Sequence, residues 1–308
     1  MKFSLRHGVP DWYYTKSERT LISLFNLQIA AKGLLLPYGS GKWSFLLADG
    51  HPGRQPRQPD LSHAVYSSGG RPSNYVMRDR LFLISGILGI GALVMTLILA
   101  RVGPRATGPL PAGFITPVMA FEFAENATEV TTLFEPEGAA AAMNRVNRWD
   151  FFFMTLYSLF LGTFALAAAH QFGQPVLYIA AALAPLILLA DVMENVQLLS
   201  LTAQLSLGGN MEPALDRLHL FTWLKWGGLA AYFLLLIPYF RRLDGRWRFV
   251  WLAAALPALA GGVALISRGL ANELLALSIG LMFVLLTVYA VGSGATGVAW
   301  SVGSGLNL

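Results

Sequence analysis

Six long apolar runs, separated by polar connections, constrain this chain more than any other feature of its sequence. Each run has close to the roughly 17–25 residues that an α-helix needs to cross a bilayer. Only helices and closed β-barrels satisfy every backbone hydrogen bond in lipid, and the strict alternation of barrel strands is missing. We therefore predict an all-α integral membrane protein, a bundle of about six transmembrane helices with an external loop that contains short helices. The predicted spans are residues 81–100, 151–169, 175–199, 218–240, 249–266 and 270–291.

The composition agrees with a protein whose solvent is mostly lipid. Of the 308 residues, 55% are hydrophobic and 13% are charged, whereas soluble domains contain roughly 25% charged residues. The absence of cysteine excludes disulfides, thiolate metal sites and iron–sulfur clusters. Nucleic-acid binding would need a folded module with a basic face, which the sequence does not indicate. We therefore expect the lipid bilayer as a partner, with no cofactor, no metal and no nucleic acid.

The two ends of the chain differ in character from the apolar runs. Residues 1–76 are rich in Pro, Gly, Ser and Arg, and residues 1–80 contain 11 Lys and Arg against 5 Asp and Glu. We predict a disordered basic tail that contacts anionic lipid, or alternatively a translation start at Met77, directly before the first span. Residues 294–308 are rich in Gly and Ser and are predicted to be flexible. The membrane bundle would then occupy residues 77–293.

Basic residues in short connections predict the orientation, because they are enriched on the cytoplasmic side. The densest cluster, RRLDGRWR, lies between the fourth and fifth spans, and Arg78 with Arg80 precedes the first. An even number of crossings separates these two groups, which places them on one side. We predict that both termini are cytoplasmic. The four arginines of the dense cluster are Arg241, Arg242, Arg246 and Arg248.

The connection of residues 102–149 is predicted to be an external amphipathic or re-entrant loop. Its apolar piece PLPAGFITPVMAFEFA is too short to span a bilayer. Asn126 and Glu129 have the spacing of a capping box, which predicts a short helix that ends at Phe134. The stretch AAAAMNRVNRW then leads helically into the second span. We expect this loop to fold back on the outer mouth of the bundle and to offer a surface for a protein partner.

The third span contains the most unusual polar group, in the stretch LLADVMENVQLL. Asp191, Glu194 and Asn195 share one helix face, because their spacing is i, i+3 and i+4. An ionised carboxylate near mid-membrane costs at least ~2.5–3.5 kcal/mol. These side chains must therefore face protein or water, pair with a cation, or stay protonated. The sequence thus predicts a polar site inside the membrane.

Lys225, in the fourth span, is the candidate cation. Glu194 lies ~9 Å from the outer end of the third span and Lys225 ~10 Å from the outer start of the fourth, at a rise of ~1.5 Å per residue. The short connection makes these spans antiparallel neighbours, so we predict that Lys225 pairs with Glu194 and Asp191. Such a pair either locks two helices together or forms a functional site for an ion, a proton or a head group. The sequence leaves both open.

Further polar residues are predicted to line the outer half of the bundle, whereas the cytoplasmic halves of the spans carry almost no charge. This distribution indicates a cup with a polar outer cavity and an apolar floor. The predicted rim consists of Arg148, Asp150, Arg268, Asn272 and Glu273.

Three stretches of the sequence together resemble a group of uncharacterised bacterial multi-span inner-membrane proteins. They are PVMAFEFAENATEVTTLF, ADVMENVQLL and FTWLKW, which contains Lys225. The resemblance covers residues 77–293. It implies a location in the bacterial inner membrane and lends weight to the set Asp191, Glu194, Asn195 and Lys225. It implies no particular activity.

Three functional classes are consistent with these residues. An ion- or proton-linked transporter of a small solute would use Asp191 and Glu194 as cation or proton sites, with Lys225 as the internal counter-ion. An accessory or assembly subunit would need the Asp/Glu–Lys pair only to hold helices together. An enzyme that acts on lipid head groups is the least favoured, because it would usually need a metal- or phosphate-binding motif. The sequence does not specify the solute or ion.

Overall fold

The computed structural model describes the backbone of residues 73–303 and the side chains of residues 77–295. Residues 1–72, most of the predicted tail of residues 1–76, lie outside the described residues. The described part is helical and contains no strand. Six of its helices are long and apolar enough to cross a membrane. The predicted all-α, six-span membrane architecture is therefore confirmed.

Eight α-helices and one 3₁₀ turn follow one another along the described chain. The short helices α2 and α3 lie in the connection between α1 and α4, and the 3₁₀ turn Gly245–Phe249 precedes α7. The α-helices are α1 (Ser73–Val102), α2 (Pro117–Glu122), α3 (Ala127–Leu133), α4 (Ala139–Phe172), α5 (Pro175–Leu207), α6 (Glu212–Phe240), α7 (Val250–Ala264) and α8 (Leu270–Gly303).

The six long helices form a closed ring. Each packs against the next in the order α1, α4, α5, α6, α7 and α8, and α8 returns to pack against α1. Connections therefore alternate between two sides. We call the side of residues 103–138 the loop side, and the side of residues 241–249 the arginine side. Residues 103–138, the connection between α1 and α4, are called the loop segment.

Three of the long helices extend beyond their predicted spans on the loop side. Helices α4, α5 and α6 contain 34, 33 and 29 residues, which correspond to about 44–51 Å at ~1.5 Å per residue. A bilayer core is only ~30 Å thick. The additional turns are amphipathic, and they bury apolar residues against the loop segment. The apolar runs in the sequence therefore correspond to the parts of these helices that lie in lipid. Packing against the loop segment extends the helices beyond the membrane.

The loop segment covers these protruding turns. Asn126 caps α3 by accepting a hydrogen bond from the backbone N–H of Glu129, as its spacing predicts. Phe121, Leu133 and Phe134 are buried in a small apolar core with residues of the extended α4, α5 and α6. Residues 103–138 therefore fold back on the bundle as a packed layer.

The interior of the ring on the arginine side is filled by aromatic side chains. Phe164 packs against Phe82, Tyr239, Phe240 and Tyr289 through edge-on and tilted ring contacts. Edge-on pairs are preferred because the positive ring edge meets the negative ring face. The predicted apolar floor is thus largely aromatic, and the hydroxyls of Tyr239 and Tyr289 bond to each other within it.

A flexible end was predicted at residues 294–308, but α8 continues to Gly303, so the part of this end up to that residue is helical. Residues 304–308 lie outside the described residues. The Gly- and Ser-rich run serves helix packing. A Cβ atom at Gly294 would lie only 2.7 Å from the backbone nitrogen of Leu83 in α1. Small residues allow two membrane helices to approach closely, which stabilises the helix where propensity alone would end it.

The glycines of SGILGIG in α1 provide the matching contact surface. A Cβ atom at Gly89 would lie 2.4 Å from Thr287 Oγ1 and 2.9 Å from the ring of Phe160. At Gly91, the nearest atom would be 3.7 Å away, an ordinary contact.

We expect Gly89→Ala to lower the stability of the protein by ~1–3 kcal/mol, because it overpacks the contact between α1, α4 and α8. Gly91→Ala is the matched control and should be neutral or slightly stabilising, since alanine favours the helix. Thermal unfolding of both variants in detergent measures the difference. Equal midpoints would contradict the packing that we describe.

Candidate functional site

The polar face of α5 points into the ring. Asp191, Glu194 and Asn195 are 3%, 0% and 2% exposed. They share this face because residues three and four positions apart are neighbours on a helix. The surrounding α5 sequence is apolar, so the helix buries its only carboxylates between α4 and α6. The sequence prediction that these acids avoid lipid agrees with their placement.

Lys225 of α6 meets these acids, as their matched depths predict. Its Nζ forms an ion pair with Glu194 Oε2 and lies 3.5 Å from Asp191 Oδ1. The lysine side chain is itself buried. The ring of Trp226 lies beside the ammonium, with 4.9 Å between Nζ and the ring centroid. The structure thus brings together the residues of the predicted pair.

The loop segment contributes a third carboxylate, which the sequence analysis did not identify as part of the site. Glu122, the last residue of α2, places Oε2 3.0 Å from Lys225 Nζ. Trp226 Nε1 donates to the same oxygen at 2.9 Å, and Thr222 Oγ1 donates to the Glu122 carbonyl at 3.1 Å. The signal for Glu122 was its position as a lone acid in the apolar stretch PVMAFEFA. No spacing rule linked it to residues a hundred positions away.

Helix α4 completes the site with Asp150, Tyr157 and Asn147. Tyr157 OH donates to Asp191 Oδ2 at 2.5 Å, and Asn195 Nδ2 donates to Asp150 Oδ2 at 2.8 Å. Asn195 Nδ2 also donates to the carbonyl of Asn147 at 3.2 Å. The three α4 residues are three and seven positions apart and thus share a face, a signal that could have added Asn147 and Tyr157 to the prediction.

Three carboxylates, those of Glu122, Asp191 and Glu194, therefore contact one ammonium, and Asn195 links a fourth, Asp150, to the group. Asp150 also lies within electrostatic range of Glu122, Asp191 and Lys225. We call Glu122, Asp150, Asp191, Glu194 and Lys225 the carboxylate–lysine cluster. If every acid were ionised, the cluster would hold three uncompensated negative charges. Oδ1 of Asp191 and Oε1 of Glu194 accept no hydrogen bond from the described residues.

The cluster lies on the loop side of the apolar belt. On α6, the exposed residues change from charged to apolar between Arg217 and Leu220. Lys225 is five residues further along, or ~8 Å deeper at ~1.5 Å per residue. Beyond the cluster, toward the arginine side, the interior is closed by Phe160, Phe233 and Phe283. The site is therefore shallow, and its aromatic floor separates it from the arginine side.

The predicted rim residues do not surround one open cavity. Asp150 belongs to the cluster, and Arg148 is exposed on α4. Glu273 accepts hydrogen bonds from the backbone N–H groups of Ile115 and Thr116, at 2.9 and 2.8 Å. Asn272 accepts from the N–H of Gly269 and caps α8. The predicted cup is corrected, because the loop segment fills its mouth.

Arg268, the last rim residue, fastens the loop segment to the α7–α8 connection. Its guanidinium contacts Glu125 at 3.1 Å and Glu129 at 2.5 Å. Burial opposes ionisation of Glu129, but hydrogen bonds from Arg268 and the Glu125 backbone, with the arginine charge, hold its pKa below the ordinary value of 4.5. Although burial also opposes the charge on Arg268, both glutamates raise its pKa. The two partners thus stabilise each other's charged forms.

Within residues 77–295, no three His, Asp or Glu side chains are arranged to hold a metal ion.

We expect Lys225→Met to destabilise the protein by ~3–5 kcal/mol, because it leaves buried carboxylates without a cation. The double variant Lys225→Met/Glu194→Gln should recover part of that loss, since it also removes one negative charge. Chemical unfolding in detergent micelles measures both effects, and Arg145→Met, at an exposed position of α4, is the control. A double variant no more stable than the single one would contradict the ion pair.

We expect the attachment of the loop segment to depend on pH through Glu129. Because the pKa of Glu129 is lowered in the folded protein, the stabilisation is complete above about pH 4.5. It is lost as the pH falls through the lowered pKa. Arg268→Gln should remove this dependence and speed amide hydrogen exchange in α3 at neutral pH. Glu137→Gln, an exposed acid of the same segment, is the control. Unchanged exchange in Arg268→Gln would show that the contact does not hold α3.

The chain was also compared with known proteins. No protein-family model, no curated protein and no solved structure matches it.

Proposed function

We propose that this multi-pass membrane protein is a proton-linked transporter of a small solute, and that the carboxylate–lysine cluster binds the coupling protons. The observation that supports this most directly is the ratio of charges: one buried ammonium contacts three carboxylates, and a fourth, Asp150, is linked to them through Asn195. Ionisable residues inside a membrane protein are costly and mark ion or proton pathways by default.

Electrostatics explains why protons are the favoured ligand. Two carboxylates that share a site cannot both ionise easily, because each disfavours the charge of the other. Lys225 can offset one negative charge but not four. The remaining acids must hold protons or another cation. Gain or loss of one proton would then change which carboxylate the ammonium prefers.

The cluster offers alternative partners for such an exchange. Lys225 contacts Glu194 and Asp191 on α5 and Glu122 on α2. Protonation of the α5 acids would favour the contact with Glu122, and their ionisation would favour α5. Binding of a proton would thus shift Lys225 from contacts with α5 toward its contact with α2. That is what coupling requires, since a ligand moves an equilibrium only by its differential affinity for two states.

The other residues suggest how protons reach the cluster. Asp150 is half-buried at the loop side of the apolar belt, and Asn195 joins it to α5. Tyr157, two turns further along α4, donates a hydrogen bond to Asp191. In this proposal Asp150 receives protons, Asp191 and Glu194 hold them, and Lys225 is the counter-ion. The loop segment and the aromatic floor are the two barriers that would open alternately.

We also infer that the protein lies in a bacterial inner membrane with its arginine side in the cytoplasm. The arginine cluster of residues 241–248 supports this orientation. The loop segment, with Asp150, would then face the outside of the cell.

An accessory or assembly subunit is the second candidate. Glu122 is fixed by three contacts, from Lys225, Trp226 and Thr222. Such a contact set also suits a purely structural fastening of the loop segment to the bundle. A protein partner would then dock on the exposed face of this segment. Under this alternative the cluster would not exchange protons during function.

We expect wild-type protein in liposomes on a solid-supported membrane to give a transient charge displacement after a pH jump, because protons enter the cluster. Asp191→Asn and Glu194→Gln should reduce this displacement several-fold while they preserve folding. Glu137→Gln keeps the cluster intact and should behave like the wild type. The probe is the pH jump alone, so the solute need not be known.

The same preparation then tests transport with a defined set of amino acids, sugars and organic cations. We expect one of these to change the internal pH of wild-type vesicles but not of Asp191→Asn vesicles. Equal charge displacement in the wild type and in folded cluster variants would overturn the proposal. Absence of the charge displacement in the wild type would favour the accessory role.

A further inference from the structure

The connection between α6 and α7 contains a second unusual group of charges. Residues 241–248, RRLDGRWR, hold four arginines and one acid. Arg268, on the loop side, has two carboxylate partners. Within residues 77–295, no carboxylate lies at salt-bridge distance from any of the four guanidinium groups. The four are Arg241, Arg242, Arg246 and Arg248.

Aromatic rings support these guanidinium groups at the membrane surface. Arg241 lies over Trp251 at 5.9 Å, Arg246 over Trp247 at 5.7 Å, and Arg248 over Phe249 at 5.4 Å. Tryptophan favours the boundary between hydrocarbon and head groups. The rings therefore place these positive charges where lipid phosphates lie.

One of these arginines borders a cavity. The cavity has a volume of about 410 Å³ and lies between the 3₁₀ turn Gly245–Phe249 and α8. The ring of Trp247 packs edge-on against Tyr289, with 5.0 Å between the centroids, and forms one wall. Arg246 lies at the polar rim, and Val288 is 54% exposed on the lipid-facing side. The cavity thus combines a cationic rim with an apolar wall that continues into the bilayer.

We propose that this cavity binds an anionic phospholipid. Arg246, at the cavity rim, holds the phosphate together with Arg248 of the same 3₁₀ turn, and one acyl chain runs along Val288 and the exposed Val284 of α8. The choice of ligand rests on charge and shape. An anion suits the site because the guanidinium groups are exposed and lack carboxylate partners among the described residues. A lipid suits the site because the apolar wall continues along a membrane-spanning helix.

A surface arginine contributes about five-fold to the binding of anionic lipid. This site is independent of the carboxylate–lysine cluster and of transport.

Native mass spectrometry of the full-length protein tests the proposal with phosphatidylglycerol, with phosphatidylethanolamine of the same acyl chains, and with inorganic phosphate. We expect the wild type to retain phosphatidylglycerol in preference to phosphatidylethanolamine. Arg246→Gln/Arg248→Gln should weaken that binding about 30-fold, by the same five-fold contribution per residue. Arg105→Gln/Arg145→Gln removes the same charge at exposed positions on the loop side and should leave it unchanged.

A second variant separates the cavity from the charge. Val288→Trp keeps every arginine but fills the apolar wall, and it should also weaken phosphatidylglycerol binding if the acyl chain lies there. Thermal unfolding verifies that each variant is folded. Three results would each overturn the proposal. They are an equal loss of phosphatidylglycerol binding in Arg105→Gln/Arg145→Gln, no preference of the wild type for phosphatidylglycerol, and full competition by inorganic phosphate.

Discussion

The imbalance of charge inside the ring is the constraint on which the rest of the structure depends. A single ammonium, on Lys225, faces carboxylates from α2, α4 and α5 at a level where lipid surrounds the bundle. In a low-dielectric interior a charge must be paired, protonated or solvated, because each alternative costs far less than a bare ion. The cluster therefore joins four elements of the fold, α2, α4, α5 and α6.

The architecture isolates this cluster on both sides in different ways. Toward the arginine side, aromatic rings fill the interior. Tyr232 OH bonds to a backbone carbonyl there, and Tyr239 OH bonds to the side chains of Gln171 and Tyr289. Toward the loop side, a separate layer of short helices closes the ring and supplies Glu122 itself. One barrier is an aromatic core within the ring, whereas the other is a separate layer held by its own small apolar core and by polar contacts such as Arg268 with Glu129.

Much of the fold could be predicted, because a membrane imposes simple rules on length and polarity. Six spans, the cap at Asn126 and the pairing of Lys225 with Glu194 follow from apolar runs, local spacing and matched depth. Three features did not follow. The protruding turns of α4 to α6 depend on tertiary packing, Glu122 reaches the site through a fold-back that no local pattern encodes, and the glycine-rich end of α8 is stabilised by close contact with α1.

The central claim is that the cluster contains fewer positive charges than acids and therefore keeps at least one carboxyl group protonated at neutral pH. Infrared difference spectroscopy of the protein in lipid nanodiscs measures this directly through the carbonyl stretch of protonated carboxylic acids. We expect this band in the wild type, unshifted by exposed-acid variants such as Glu137→Gln, and diminished in Asp191→Asn or Glu194→Gln. A wild-type spectrum that lacks the band at neutral pH, from folded protein, would contradict the account.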